Sequence, residues 1–417
     1  MPVVYIHGVA TRSTKADDTV TGLMRRYLTD AIAPGGDLEI VYAYWGDVAA
    51  SFAWGGASRP RTPLRGMGGE AELDPGARAA LAAYLAGTLD GLPEPEAAEL
   101  APIGLVAAGP RTTTAAAPGL RLRDLGADQL SDLLVAVVLA GGEPSAELLI
   151  AVDEIAHDPE TARRLAEAPD LDAEWRVVSE LVEARTGEGL AGMGGGGFFA
   201  RLGDRLKESM GRGVGVPGYV ASRLVAEFRA PINTMASMFV GDVMAYVNNR
   251  GDAAAVGSIP SRLLEALRTA REAAPADEPL VVISHSMGGQ VVYDTVTHFL
   301  PKAAAWQDLR IDYWCATASQ VGLFEELKLF LESDPSYQKG SKVPFPDRAH
   351  LGGWWNVWDH NDFISYTGAD IFEGVDDEAF NTGMTLVGAH SGYLVRPSFY
   401  RMLAGKLEDA AAGGWGR

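Results

Sequence analysis

The chain has 417 residues, 47% hydrophobic and 22% charged, and its 35 basic against 55 acidic side chains leave a net charge of −20. Such a composition belongs to a folded protein rather than a disordered or collagen-like one. The acidity excludes a general nucleic-acid binder, whose phosphate contacts need clustered Lys and Arg, and a single cysteine, Cys315, excludes an intramolecular disulfide or a cysteine-based zinc site.

The opening Met-Pro-Val-Val-Tyr-Ile-His-Gly lacks the basic start and cleavage site of a secretory signal. No run of about 18 residues is apolar enough to span a bilayer, so a cytoplasmic location is expected. Short apolar runs bounded by turn residues predict buried parallel strands at Val3–His7 and Glu39–Trp45. Between them Val20, Leu23, Met24, Tyr27 and Leu28 carry helical spacing over Asp17–Asp30, with two acids at its start. Residues 51–275 then read as Gly/Pro-rich loops and amphipathic helices, at 77–86, 127–140, 146–168, 171–185, 219–229, 232–248 and 261–274. The segment 55–76 and Gly192–Gly197 read as flexible connections. Strand-and-helix alternation returns with Leu280–Ser284, a helix over Met287–Leu300, Arg310–Thr317, Trp354–Trp358 and Thr385–Gly388. This pattern predicts an α/β fold with a doubly wound, mostly parallel sheet of about six strands. Its core is discontinuous, over 1–50 and 276–417. The mainly helical stretch 51–275 is a cap or lid insertion whose last helix, 261–274, packs on the core.

The most informative string is Val281-Val282-Ile283-Ser284-His285-Ser286-Met287-Gly288-Gly289. An apolar strand runs into a small-residue turn around Ser286 and then into a helix, the pattern of a nucleophile elbow with Ser284 in place of its first glycine. The helix N-terminus behind Ser286 favours negative charge, and the Met287 N–H can face it. The Trp354–Ile364 stretch ends a strand in an acidic turn, where a carboxylate can hold an imidazole's tautomer. Asp362, which leads into Phe363 and Ile364, is preferred as that acid, with Asp359 the alternative. His390 follows the last expected strand in a small-residue loop and is the candidate base. Of the other six histidines, His157 and His298 fall on helices and His285 points away within the elbow. His350 and His360 lie in loops, where His360 is the rival, and His7 orders the turn after the first strand.

With the elbow, His7-Gly8, Thr317-Ala318-Ser319-Gln320 and the turns at Asp362 and His390, the chain resembles the α/β-hydrolase superfamily. The likeness is to lipase-like intracellular serine hydrolases related to the GPI inositol-deacylase. It covers 1–50 and 276–417 only, and Ser284, Ala318 and Gln320 depart from the pattern. The resemblance implies a trimmed sheet lacking two leading strands. It also implies a Ser286–Asp362–His390 triad, an oxyanion hole from the backbone N–H groups of Met287 and Val9, and no metal or organic cofactor. The expected reaction is hydrolysis of a carboxylic ester, lipid-like in its acyl part, through an acyl-enzyme. The competing readings are a thioesterase or amidase on another acyl group, and an interaction scaffold on a hydrolase core. A lipid-degrading defence or toxin effector is a further variant by analogy.

Charge is uneven: residues 66–190 carry a net −15, whereas 191–275 are mildly basic. The acidic helices read as a solvated surface able to dock a protein partner. The amphipathic, Met-rich segment 191–247 reads as a fixed cap or as a lid making transient membrane-surface contact. The expected small partner is an acyl ester or lipid-like substrate.

Overall fold

Six short strands hydrogen-bond into one parallel sheet: β1 (Pro2–Ile6), β2 (Glu39–Ala43), β3 (Val281–His285), β4 (Ile311–Thr317), β5 (Leu351–Trp358) and β6 (Asp376–Ala379), in the spatial order β2-β1-β3-β4-β5-β6. The computed structural model describes residues 2–33, 36–55, 57, 121–140, 145–186, 237–275, 278–384 and 388–416. Contacts divide the chain into two units, Met1–Pro63 with Glu227–Arg417, and Leu64–Ala226.

In the sheet unit the central strands are buried on both faces, as a parallel sheet under helices requires, and β1, β4 and nearly all of β3 are shielded from solvent. Alternation along β5 shows the two layers directly. Trp354 stacks on Trp314, ring centroids 4.5 Å apart, within the apolar cluster that includes Leu263, Leu267, Val291 and Phe299. Trp355 faces the other way and stacks on Phe399 of the C-terminal helix Pro397–Ala412. Tyr400 of that helix stacks in turn on Tyr27 of the helix Asp18–Ile32. That first helix is capped by Asp17, whose carboxylate accepts the Thr19 and Val20 N–H groups. Helices 237–249 and Ser258–Ala273 also belong to this unit and contribute Tyr246, Ile259 and Leu264 to the apolar cluster.

Three elements differ from the sequence expectation. The sixth strand is Asp376–Ala379, an acidic edge that periodicity does not reveal. It pairs in parallel with β5, and Asp377 accepts N–H bonds from Gly368 and Ala369 and from the Asn356 side chain. The helix after the elbow runs over Gly288–Asp294, then widens into a π-turn, Thr295–Phe299. In the second unit the expected single helix 146–168 is two, Ala146–His157 and Pro159–Glu167. Pro159 has no N–H to continue the first helix, and Asp158 caps the second instead.

That unit also contains Ala127–Ala140 and Leu171–Thr186, packed through Leu134, Leu149, Val152 and Val178. Its buried Glu174 carboxylate accepts the Leu122 N–H and pairs with Arg121 and Arg123. The expected helices 77–86 and 219–229, the Gly192–Gly197 run, nearly all of 55–76, the 191–236 part of the proposed lid and the start of Thr385–Gly388 lie outside the described residues. Among the described residues no helix is long and apolar enough to cross a membrane.

Candidate active site

From β1 the chain moves outward to β2, then returns across to β3 on the other side of β1. The β1/β3 boundary is therefore a topological switch point, the place at the carboxyl ends of the strands where open α/β sheets bind their ligands. Ser286 follows β3 there, and His7-Gly8 follow β1.

Ser286 is held in the left-handed region with φ 53°, which costs a residue with a side chain about 1–2 kcal/mol. Its own N–H is anchored on the Thr317 carbonyl at 2.9 Å. The turn also requires bare neighbours. A Cβ on Gly8 would lie 2.5 Å from the Ser286 Cβ, and one on Gly288 would lie 2.9 Å from the Ile6 and His7 carbonyl oxygens. Ser284, which stands where the elbow pattern has glycine, is accommodated by chemistry as well as size. Its hydroxyl accepts the Trp314 indole N–H at 2.8 Å, and its carbonyl accepts the Thr317 hydroxyl at 3.0 Å.

The structure brings Ser286, His390 and Asp362 together. His390 Nε2 lies 2.8 Å from the Ser286 Oγ, and Nδ1 lies 2.9 and 3.1 Å from the two Asp362 oxygens. A carboxylate only accepts, so Nδ1 carries the proton and Nε2 presents its lone pair to the serine hydroxyl. Asp362 also accepts the Ile364 N–H at 3.1 Å and the Tyr393 hydroxyl at 3.3 Å. Burial, then the neighbouring Asp362 charge, pushes the Tyr393 pKa far up, so it stays a phenol and donates. Ser286, Asp362 and His390 are 1%, 4% and 7% exposed, so the chain of hydrogen bonds runs out of bulk water, where each link is stronger. Asp359 is occupied elsewhere: its carboxylate accepts the Thr382 N–H and hydroxyl at 2.7 and 2.6 Å, and the Asn361 N–H. His360 is exposed and lies edge-on to Trp358.

On the β1 side, His7 Nε2 accepts the Trp45 N–H at 3.1 Å, which leaves Nδ1 to donate to the Gly8 carbonyl at 2.6 Å. Its ring stacks on Trp45, and burial lowers its pKa to about 4. The loop that carries Val9 is thereby pressed against the elbow. The backbone N–H groups of Val9 and Met287 donate no hydrogen bond to another group among the described residues.

Two side chains at the site were not singled out for a role by sequence reasoning. His285 reaches the base loop: its Nε2 donates to the His390 carbonyl at 2.6 Å. Burial first, and the nearness of the His390 imidazole second, lower its pKa to about 4, so the ring is neutral at pH 7. Gln320 is fully buried and donates through Nε2 to the Ala318 and Ile364 carbonyls at 2.6 and 2.5 Å, with the Ser286 Oγ 3.5 Å away. Its carbonyl accepts from Gln290 on the elbow helix. One amide thus joins the elbow, the turn after β4 and the acid loop. The signal for both was positional, a polar residue flanking the nucleophile or following a buried strand, and one sequence cannot separate that from a surface turn.

Among the described residues no three His, Cys, Asp or Glu side chains gather as metal ligands would. Compared with protein-family models, curated proteins and solved structures, the chain gives no match in any of the three.

Proposed function

We propose that this protein is a serine hydrolase that cleaves a carboxylic ester through an acyl-enzyme. The observation that carries the reading is the buried, continuous sequence of hydrogen bonds from Ser286 Oγ to His390 to Asp362, built on a serine at positive φ. His390 takes the hydroxyl proton as Ser286 Oγ bonds to the ester carbonyl carbon, and the carbonyl π electrons move onto oxygen. Asp362 keeps the imidazole in the productive tautomer and balances the imidazolium. The Met287 and Val9 N–H groups stabilise the oxyanion. On collapse, the C–O bond to the leaving alcohol breaks and His390 returns the proton to that oxygen. Water, deprotonated by His390, then attacks the acyl carbon, the C–Oγ bond to Ser286 breaks, and His390 returns the proton to Ser286 Oγ as the acid leaves.

A lipid-like acyl chain is the substrate class we favour. Phe363, next to Asp362 in the chain, is 70% exposed, and Val240 and Met244, one turn apart on helix 237–249, are 53% and 56% exposed. The test is labelling of the purified protein with a fluorophosphonate beside Ser286→Ala. Labelling that depends on Ser286 is expected, and labelling that survives the substitution, or none at all in the intact protein, overturns the reading. A panel of p-nitrophenyl esters, thioesters and anilides then separates the chemistry. Faster turnover of long acyl chains is expected, and a preference for acetate would remove the lipid-like part alone.

A further inference from the structure

Helix 237–249 sends a single carboxylate to the loops at the carboxyl ends of β1 and β2. Asp242 is fully buried. It accepts the Ala10 N–H at 2.9 Å and the Ala50 N–H at 3.0 Å, and the Arg12 guanidinium at 2.8 and 3.3 Å. Ala50 lies beyond β2, while Ala10 and Arg12 lie in the loop that follows β1, with Ala10 immediately after Val9. Arg12 in turn donates to the Thr11 and Ala50 carbonyls, so the two loops and the helix close into one polar knot.

Ala10 has φ 64°. A residue with a Cβ stays in that region only where its surroundings impose it. The imposing contact here is a charge-assisted hydrogen bond to a carboxylate shielded from water, among the stronger bonds available to a backbone N–H. On the other side of Val9, the His7 and Gly8 backbone is fixed by Trp45 and by contact with the Ser286 turn. The Val9 peptide is therefore held from both ends. Releasing the Ala10 end lets that residue return to negative φ, which turns the Val9–Ala10 peptide and, through the Val9 dihedrals, frees the Val9 N–H to move.

We propose that Asp242 is a positioning residue for acyl transfer: its carboxylate locks Ala10 in the left-handed conformation and so aims the Val9 N–H at the oxyanion. The proposal rests on the serine-hydrolase reading for its consequence in catalysis, although not for the clamp itself. It makes a residue of the inserted stretch, remote from the elbow in sequence, part of the catalytic apparatus.

The test uses the full chain with p-nitrophenyl acetate. Asp242→Asn keeps the shape but places an NH2 group against one of the two N–H donors. It is expected to lower kcat by at least about tenfold with KM held within about twofold, and to slow fluorophosphonate labelling of Ser286 in parallel. Arg12→Gln removes the ion pair and leaves the Ala10 bond, so its kcat should fall less than about threefold. Equal losses from both substitutions would mean a general structural role and overturn the proposal, as would an unchanged kcat in Asp242→Asn. Amide hydrogen exchange on the unsubstituted protein decides the clamp independently of variant folding and of any turnover. The Ala10 N–H, on an exposed residue, should exchange far more slowly than an unbonded loop amide, and fast exchange would refute the proposal. Slow exchange without Ser286-dependent hydrolysis would instead leave the clamp standing and fail the proposed function.

Discussion

The two acids of the β5 turn make separable demands on the molecule. Asp362 faces the imidazole that faces Ser286, while Asp359 spends its oxygens on Thr382 and Asn361. Asp362→Asn should lower kcat by on the order of 10³- to 10⁴-fold, because an amide there favours the wrong histidine tautomer. Its unfolding midpoint should change little by comparison. Asp359→Asn should show the opposite balance, with a modest loss of kcat and a lower midpoint, since a buried pair of donors loses a charged acceptor. Steady-state kinetics and urea unfolding on the two variants check this, and reversed balances would reassign the acid. The sequence favoured Asp362 only through the apolar pair Phe363-Ile364 that follows it. Both carboxylates sit in the same turn, and the packing of Thr382 against one and His390 against the other distinguishes them.

At the scale of elements, local pattern was a good guide wherever one residue type decided the backbone. The apolar runs of β1, β3 and β4, and the helix begun by Asp17, were legible because burial on both faces and a capping carboxylate are local demands. The β6 edge was not, because Asp376–Ala379 has neither apolar alternation nor strand propensity. Its position comes from the parallel ladder to β5 together with the bonds that Asp377 accepts from Gly368, Ala369 and Asn356. Asp377→Ala should therefore detach the edge strand and cost about 2 kcal/mol through the orphaned donors. The check is a chemical-denaturation midpoint together with hydrogen exchange across Asp376–Ala379, and an unchanged midpoint with protected amides would contradict it.

For the whole molecule, the buried imidazoles set a dependence of stability on pH. His7 and His285 are both held to a pKa of about 4 by burial, against 6.5 when exposed. The unfolded chain binds protons that the folded one refuses, so their contribution to stability is complete above about pH 6.5 and is lost as pH falls towards 4. Between about pH 6.5 and 5, above the main carboxylate range, the loss should be on the order of 2 kcal/mol per imidazole. Urea unfolding across that interval measures it; a loss half as large would show one ring charged in the folded state, and a flat stability would show both charged. The net charge of −20 bears on this scale too, since it makes the chain self-repelling at neutral pH without saying where any group sits.

The sequence by itself determined an α/β architecture and the order in which Ser286, Asp362 and His390 occur. Hydrophobic periodicity and turn chemistry are properties of neighbouring residues and survive in a one-dimensional record. Tertiary structure alone decided which acid meets His390, that Ser284 is tolerated because Trp314 donates to it, and that His285 and Gln320 fasten the base and acid loops to the elbow. It also decided that Asp242 grips Ala10, a contact spanning more than half the chain. Such bonds depend on distances between segments that the sequence places far apart, and a buried polar group chooses its partner only when the sheet has brought the candidates within reach.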